Sequence, residues 1–199
     1  MEKIEQSKLI ILVTSIEIVV IVLAVVLGFI FQINLFNKFS FNIDLMLLSL
    51  YGTAGLIAIN YISVFVLSRY IGFFKNLKIA YDEVSIIVAD VNTPGIIIIA
   101  LLSGFAEELF FRGIVQTGLG ITIASIIFGL VHIGNKKTIY YGVYAIFIGF
   151  YLGFFMLYTE SLWVPIIIHI INNVLAIPFM KKNYNKLMNQ QETSADIEG

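Results

Sequence analysis

Long apolar runs, parted by short polar clusters, set the pattern of this chain. Residues 9–31 are apolar except around Thr14, Ser15 and Glu17, and predict a helix that crosses a bilayer, for which ~20 apolar residues suffice. The run is too long for a signal-peptide core and has no small-residue cleavage site, so it reads as a retained helix. A second run covers residues 45–70. Between residues 71 and 92 the pattern changes. Phe73, Leu77, Ala80, Val84, Ile87 and Val91 recur at helical spacing, with Lys75, Lys78, Asp82 and Asp90 between them. That is the signature of an interfacial amphipathic helix. Thr93-Pro94 supplies a capping hydroxyl and a first-turn proline, opening a third run over residues 94–116. Gly118 and Gly120 precede a short fourth run, 121–133, and Asn135-Lys136-Lys137 form a polar loop. The fifth run, 139–158, carries Ala145, Gly149 and Gly153 at four-residue steps, a stripe suited to close helix packing. The sixth covers 162–179, with Trp163 as an interface anchor. The polar tail, 181–199, reads as loose.

Composition fixes what these runs are for. Of 199 residues 59% are apolar, mean hydropathy is +0.96, and 13% are charged, against ~25% in a soluble domain. The reading is all-α: one polytopic membrane domain over residues 1–199, with about six transmembrane helices plus the amphipathic one. A nucleic-acid partner, a secreted disulfide scaffold and a disordered regulator are excluded. With no cysteine there is no thiolate nucleophile and no Cys-ligated metal. With the N-terminus in the cytoplasm, ten of the twelve Lys and Arg fall on the cytoplasmic side, only Lys38 and Arg112 departing. This positive-inside bias puts both termini in the cytoplasm. The 36 Ile, and ten Lys against two Arg, point to an AT-rich bacterial genome.

Charge inside these runs needs a reason, because an ionised group deep in lipid is costly. Glu107, Glu108 and Arg112 lie in the third run, His132 in the fourth, and His169, Asn172 and Asn173 in the sixth. Both histidines of the protein are among them. Glu108 and Arg112 are i,i+4 and share a helix face, so the pair neutralises itself. Glu107 is turned about 100° away and is left without an in-helix partner, free to act as a general base. Phe128 and His132 share a face, as do His169 and Asn173. Two imidazoles, an unpaired carboxylate and an amide on three helices can activate water and stabilise an oxyanion. That equipment hydrolyses an amide without a covalent intermediate. Asn60, in the second run, reads as an interhelical hydrogen-bonder and Ser103 as a small packing residue. The role of Glu17 is open.

In chain order, Glu107-Glu108 to Arg112 (EExxxR), Phe128 to His132 (FxxxH) and His169 to Asn173 (HxxxN) resemble the CAAX-protease and bacteriocin-processing family, which includes the type II CAAX prenyl endopeptidases. The resemblance covers about residues 94–180. It implies a metal-independent glutamic intramembrane protease with a conical cavity open to the cytoplasm. Glu107 and His132 would activate the attacking water, and His169 and Asn173 would hold the oxyanion. Glu108 with Arg112 would orient the first helix of the site, with Phe128 supporting. No cofactor is implied. The partners would be a peptide or protein substrate and the lipid bilayer, and the role in bacteria would be bacteriocin immunity or processing of peptides and leaders. The eukaryotic prenyl proteases have more spans than this chain.

Three rivals stand beside this reading. Two His and one Glu could ligate zinc and leave a fourth position for water, although there is no HExxH. Leu102-Ser103-Gly104 faintly resembles the rhomboid GxSG, but position 101 is Leu. A catalytically idle scaffold or immunity protein could use the same cavity to bind a partner.

Overall fold

The computed structural model describes the backbone of residues 5–198 and side chains as far as residue 189. Among the described residues there is no strand. The helices are α1 (Gln6–Ile30), α2 (Ile43–Tyr61), α3 (Gly72–Val88), α4 (Thr93–Glu108), α5 (Gln116–Val131), α6 (Ile139–Thr159) and α7 (Trp163–Glu198). Helix α2 continues through a π turn at Ile62–Val66 and a 3-10 turn at Leu67–Arg69, and a π segment at Leu109–Val115 joins α4 to α5.

Among the described residues five segments are long and apolar enough to cross a membrane: Gln6–Ile30, Ile43–Arg69, Thr93–Val131, Lys136–Thr159 and Trp163–Asn189. The all-α membrane bundle predicted from sequence is the architecture observed. The third segment holds two of the expected runs, and it does not run straight. Gly120 has φ 84° and ψ 165°, outside helical geometry. Arg112 and Phe128, eight positions before and eight after Gly120, meet with the guanidinium 4.9 Å from the ring centroid. Contact at equal distances from one residue means that the chain doubles back there. The returning arm, residues 121–131, rises about 16 Å, half of a ~30 Å hydrocarbon core. The fourth expected span is therefore a short arm.

That backbone conformation is essentially reserved to glycine, and a Cβ at Gly120 would meet no atom within 4 Å. Gly120→Ala should therefore destabilise the protein by about 1–3 kcal/mol through the backbone alone. Gly118→Ala, equally open but helical, should be neutral or stabilising by up to about 1 kcal/mol. Thermal unfolding of both variants in one detergent checks the pair.

Small residues let the returning arm and α6 touch. A Cβ at Gly129 would lie 2.6 Å from the Gly142 carbonyl oxygen, and one at Gly149 3.0 Å from the Ser125 Cα. At the far end Gln116 donates from Nε2 to the Gly153 carbonyl at 2.9 Å. Helix α1 runs alongside α4 in the same direction: Leu9 packs with Val91 and Ile96 at one end, and Ala24 with Leu109 and Ile114 at the other.

Three expectations are refined. The cap of α4 is Asn92, whose side chain accepts from Gly95 N at 2.9 Å, with Thr93 already inside the helix. The amphipathic face of α3 is spent on protein: Leu77 and Tyr81 pack with Val64, Tyr144 and Met180. Helix α7 does not stop at Phe179 but carries on through the polar tail to Glu198. Residues 181–198 contain neither Gly nor Pro, so nothing in the chain ends the helix. Asn183 Nδ2 also donates to Asp82 Oδ1 on α3 at 2.7 Å.

Candidate active site

The antiparallel return at Gly120 brings the FxxxH arm back against the Glu107-Glu108 pair, and α7 closes on α4 from another side. The latter contact is close because residue 104 is glycine: a Cβ there would sit 2.9 Å from the Ile170 backbone nitrogen. Ser103 and Glu108 on α4 thus face Asn173 and His169 on α7.

All the residues singled out from sequence fall into this one region. Glu108 and Arg112 are fully buried and paired, Arg112 Nε lying 3.0 Å from Glu108 Oε2. Glu108 is not spent on Arg112 alone. Its other oxygen, Oε1, accepts from His169 Nδ1 at 2.9 Å. Helical spacing pairs Glu108 with Arg112 but does not reach this third member, which lies 61 positions away. Arg112 rests on the Phe128 ring, so Phe128 serves as a cation–π floor.

Glu107 faces the returning arm. Its Oε2 lies 3.7 Å from His132 Nε2, beyond hydrogen-bond length, and has no hydrogen-bond partner among the described residues. His132 Nδ1 is 2.6 Å from the Phe128 carbonyl, which can only accept. A proton therefore sits on Nδ1, and Nε2 is left facing Glu107. A small molecule placed between them would meet the Glu107 carboxylate on one side and the His132 ring on the other.

Asn60, His132, Tyr144, His169, Asn172 and Asn173 line one part of a cavity of about 530 Å³ between α2, α3, α5, α6 and α7. The rest of its wall is mainly apolar, including Leu77, Val84, Leu152 and Met180. An apolar pocket with a few convergent polar groups is the usual form of a ligand site.

Sequence reasoning undervalued three residues. Ser103, read as packing, accepts from Asn173 Nδ2 at 3.1 Å. Asn60 bonds across helices as expected, to Asn172, and itself lines the cavity. Glu17 is buried on α1, its Oε2 unpartnered among the described residues, within electrostatic reach of Glu107 and His169. A lone polar residue in an apolar run was the only signal for Asn60 and Glu17. Among the described residues no group of three or more His, Cys, Asp or Glu is placed to hold a metal ion.

The fold and the buried polar cluster define a multi-pass helical membrane protein with an internal site. The recognition drawn from the three motifs stands: residues 90–175 match the family described as Type II CAAX prenyl endopeptidase Rce1-like. The chain is also similar to two Bacillus subtilis (strain 168) proteins. It is 38% identical to "Uncharacterized protein YpbD" over 80 residues, 40% of this chain and 42% of that one. It is 28% identical to "Putative membrane peptidase YdiL" over 111 residues, 51% of this chain and 43% of that one. Each match spans less than half of the relative's own length. No solved structure matches.

Proposed function

We propose that this protein is an intramembrane endopeptidase that cleaves a peptide bond by direct attack of water. The reading rests above all on the carboxylate of Glu107, whose Oε2 has no hydrogen-bond partner among the described residues and faces the Nε2 of His132. A water held there gives its proton to Glu107 as it attacks, with His132 orienting it through Nε2. His169 and Asn173, one helical turn apart, donate to the oxygen that becomes negative. His169 already donates from Nδ1 to Glu108, so a second donation from Nε2 requires the imidazolium, for which the buried Glu108 carboxylate is the counterion. The proton on Glu107 then passes to the leaving amine. Glu108 and Arg112 hold this frame in place. The substrate is a peptide or protein segment reaching the cavity from the membrane. The role in a bacterial cell is maturation of a peptide or leader, or protection against a bacteriocin.

The deciding experiment compares the membrane proteome of cells carrying the wild type with that of cells carrying Glu107→Gln. Membrane-proximal peptides cut only in the wild type are expected. Identical peptide sets would defeat the endopeptidase reading and favour a binding scaffold. Loss of cleavage on exhaustive chelation, restored by zinc, would instead install the metal mechanism.

The proposal includes an orientation, both termini cytoplasmic. Reporter fusions after Lys137 and Lys186 should read cytoplasmic and one after Glu160 external. A cytoplasmic reading at Glu160 would overturn it.

A further inference from the structure

Asn173 stands near the end of a hydrogen-bond chain that begins on α6, crosses α2 and α7, and ends on α4. Tyr144 donates its hydroxyl to Asn60 Oδ1 at 2.8 Å. Asn60 donates from Nδ2 to Asn172 Oδ1 at 2.8 Å. Asn172 donates from Nδ2 to Asn173 Oδ1 at 3.2 Å, and Asn173 donates from Nδ2 to Ser103 Oγ at 3.1 Å. All four links point the same way.

We infer that Asn60, with Tyr144 behind it, is a positioning residue that sets which end of the Asn173 carboxamide faces the reacting carbonyl. The inference rests on the reading of Asn173 as an oxyanion donor and extends it to two residues outside the three motifs. A carboxamide is nearly symmetric in shape and opposite in polarity at its two ends. Turned one way, Asn173 offers an N–H to a developing oxyanion. Turned the other way it offers an oxygen, which repels. Ser103 cannot decide between them, because a hydroxyl accepts from the NH₂ or donates to the carbonyl equally well.

The decision comes from the other end. By accepting from Asn172, the Asn173 carbonyl is held on the Asn172 side of the carboxamide. One N–H goes to Ser103 and the second is left for the oxyanion. Asn172 is held in turn by Asn60, which presents its NH₂ to α7 because its carbonyl takes the Tyr144 proton. A phenol is a better donor than an aliphatic hydroxyl, so direction is imposed at Tyr144 and relayed. A reversed chain would satisfy as many hydrogen bonds but make Tyr144 the acceptor and Ser103 the donor.

The test uses the full-length protein in nanodiscs and the peptide showing the strongest Glu107-dependent cleavage. Asn60→Leu breaks the relay at its centre. Tyr144→Phe removes one hydroxyl and keeps the shape, so it serves if the first variant folds poorly. Both should lower kcat, Asn60→Leu by about ten-fold or more though less than the 10²–10³ of losing the donor itself, with KM within a few-fold. In the Asn173→Ala background neither should cost anything further, since the group they position is gone. A substrate-free arm follows the Asn173 side-chain amide in ¹⁵N-asparagine-labelled protein, its signal assigned by its loss in Asn173→Ala. Tyr144→Phe should move it, although the two residues are not bonded to each other. Unchanged kcat and an unmoved amide signal in both variants, or losses that add to that of Asn173→Ala, would overturn the inference and leave the oxyanion reading intact. Full turnover in Asn173→Ala itself would overturn the oxyanion reading, and the inference with it.

Discussion

Glu107→Gln is expected to abolish peptide cleavage and to leave an inserted, folded protein. The substitution keeps shape and volume and removes only the capacity to take a proton. No hydrogen bond is broken, since His132 Nε2 is 3.7 Å away. A general base contributes about 10²–10⁴ to rate, and the residual activity should fall by that factor or more. The neighbouring residue should behave oppositely. Glu108 is fully buried between Arg112 and His169, so Glu108→Gln strands a guanidinium that has no exposure to water. Removing one partner of a buried pair costs ~3–5 kcal/mol, which should appear as lower folded yield and earlier thermal unfolding. Single-turnover cleavage and thermal unfolding, both on detergent-purified protein, read the two effects. A Glu107 variant that unfolds beside a Glu108 variant that folds and fails to cleave would exchange the two roles.

How much of this could be seen in the sequence depends on the range of the interaction. Hydropathy is local, so the apolar runs, the amphipathic stretch before Asn92 and the small-residue stripe of α6 were all legible. Spacing is also local, and it correctly paired Glu108 with Arg112, four residues apart. The reversal was only half legible. Gly118 and Gly120 both signalled a break, but only backbone angles show that Gly118 stays helical and Gly120 turns the chain. The π segment at Leu109–Val115 gave no signal, because nothing in Leu109-Phe110-Phe111 distinguishes a widened turn from an ordinary one. Contacts between distant residues were least visible. His169 with Glu108, Asn173 with Ser103 and Asn60 with Asn172 each join helices whose neighbour relations follow from the packing of the whole bundle. Both histidines were marked as site residues because burying them needed a reason, whereas Asn60 and Ser103 passed as ordinary packing because they are cheap to bury.

The second large effect separates an enzyme from a scaffold built around the same cavity. Asn173 reaches the cavity wall from α7 and keeps one amide hydrogen beyond the one given to Ser103. If that hydrogen meets the substrate oxygen only as charge develops on it, the interaction is worth little in the ground state and much in the transition state. Loss of a single such donor removes about 10²–10³ of turnover. Loss of a ground-state contact would instead raise the dissociation constant with turnover per bound substrate unchanged. Asn173→Ala is therefore expected to bind peptide within a few-fold of wild type and to lose nearly all cleavage. Binding should be measured in the Glu107→Gln background, where the peptide survives, and cleavage by single turnover with Glu107 intact. Asn173→Ala gives up the bonds to Asn172 and Ser103 but leaves the buried Glu108 contacts with His169 and Arg112 in place, and thermal unfolding of the variant reads what the two lost bonds contribute. A variant that loses affinity by the full factor, with cleavage per bound peptide unchanged, would place Asn173 in substrate binding. A variant that protects or processes as well as wild type would leave the cavity to a binding scaffold, in which an oxyanion donor has nothing to stabilise.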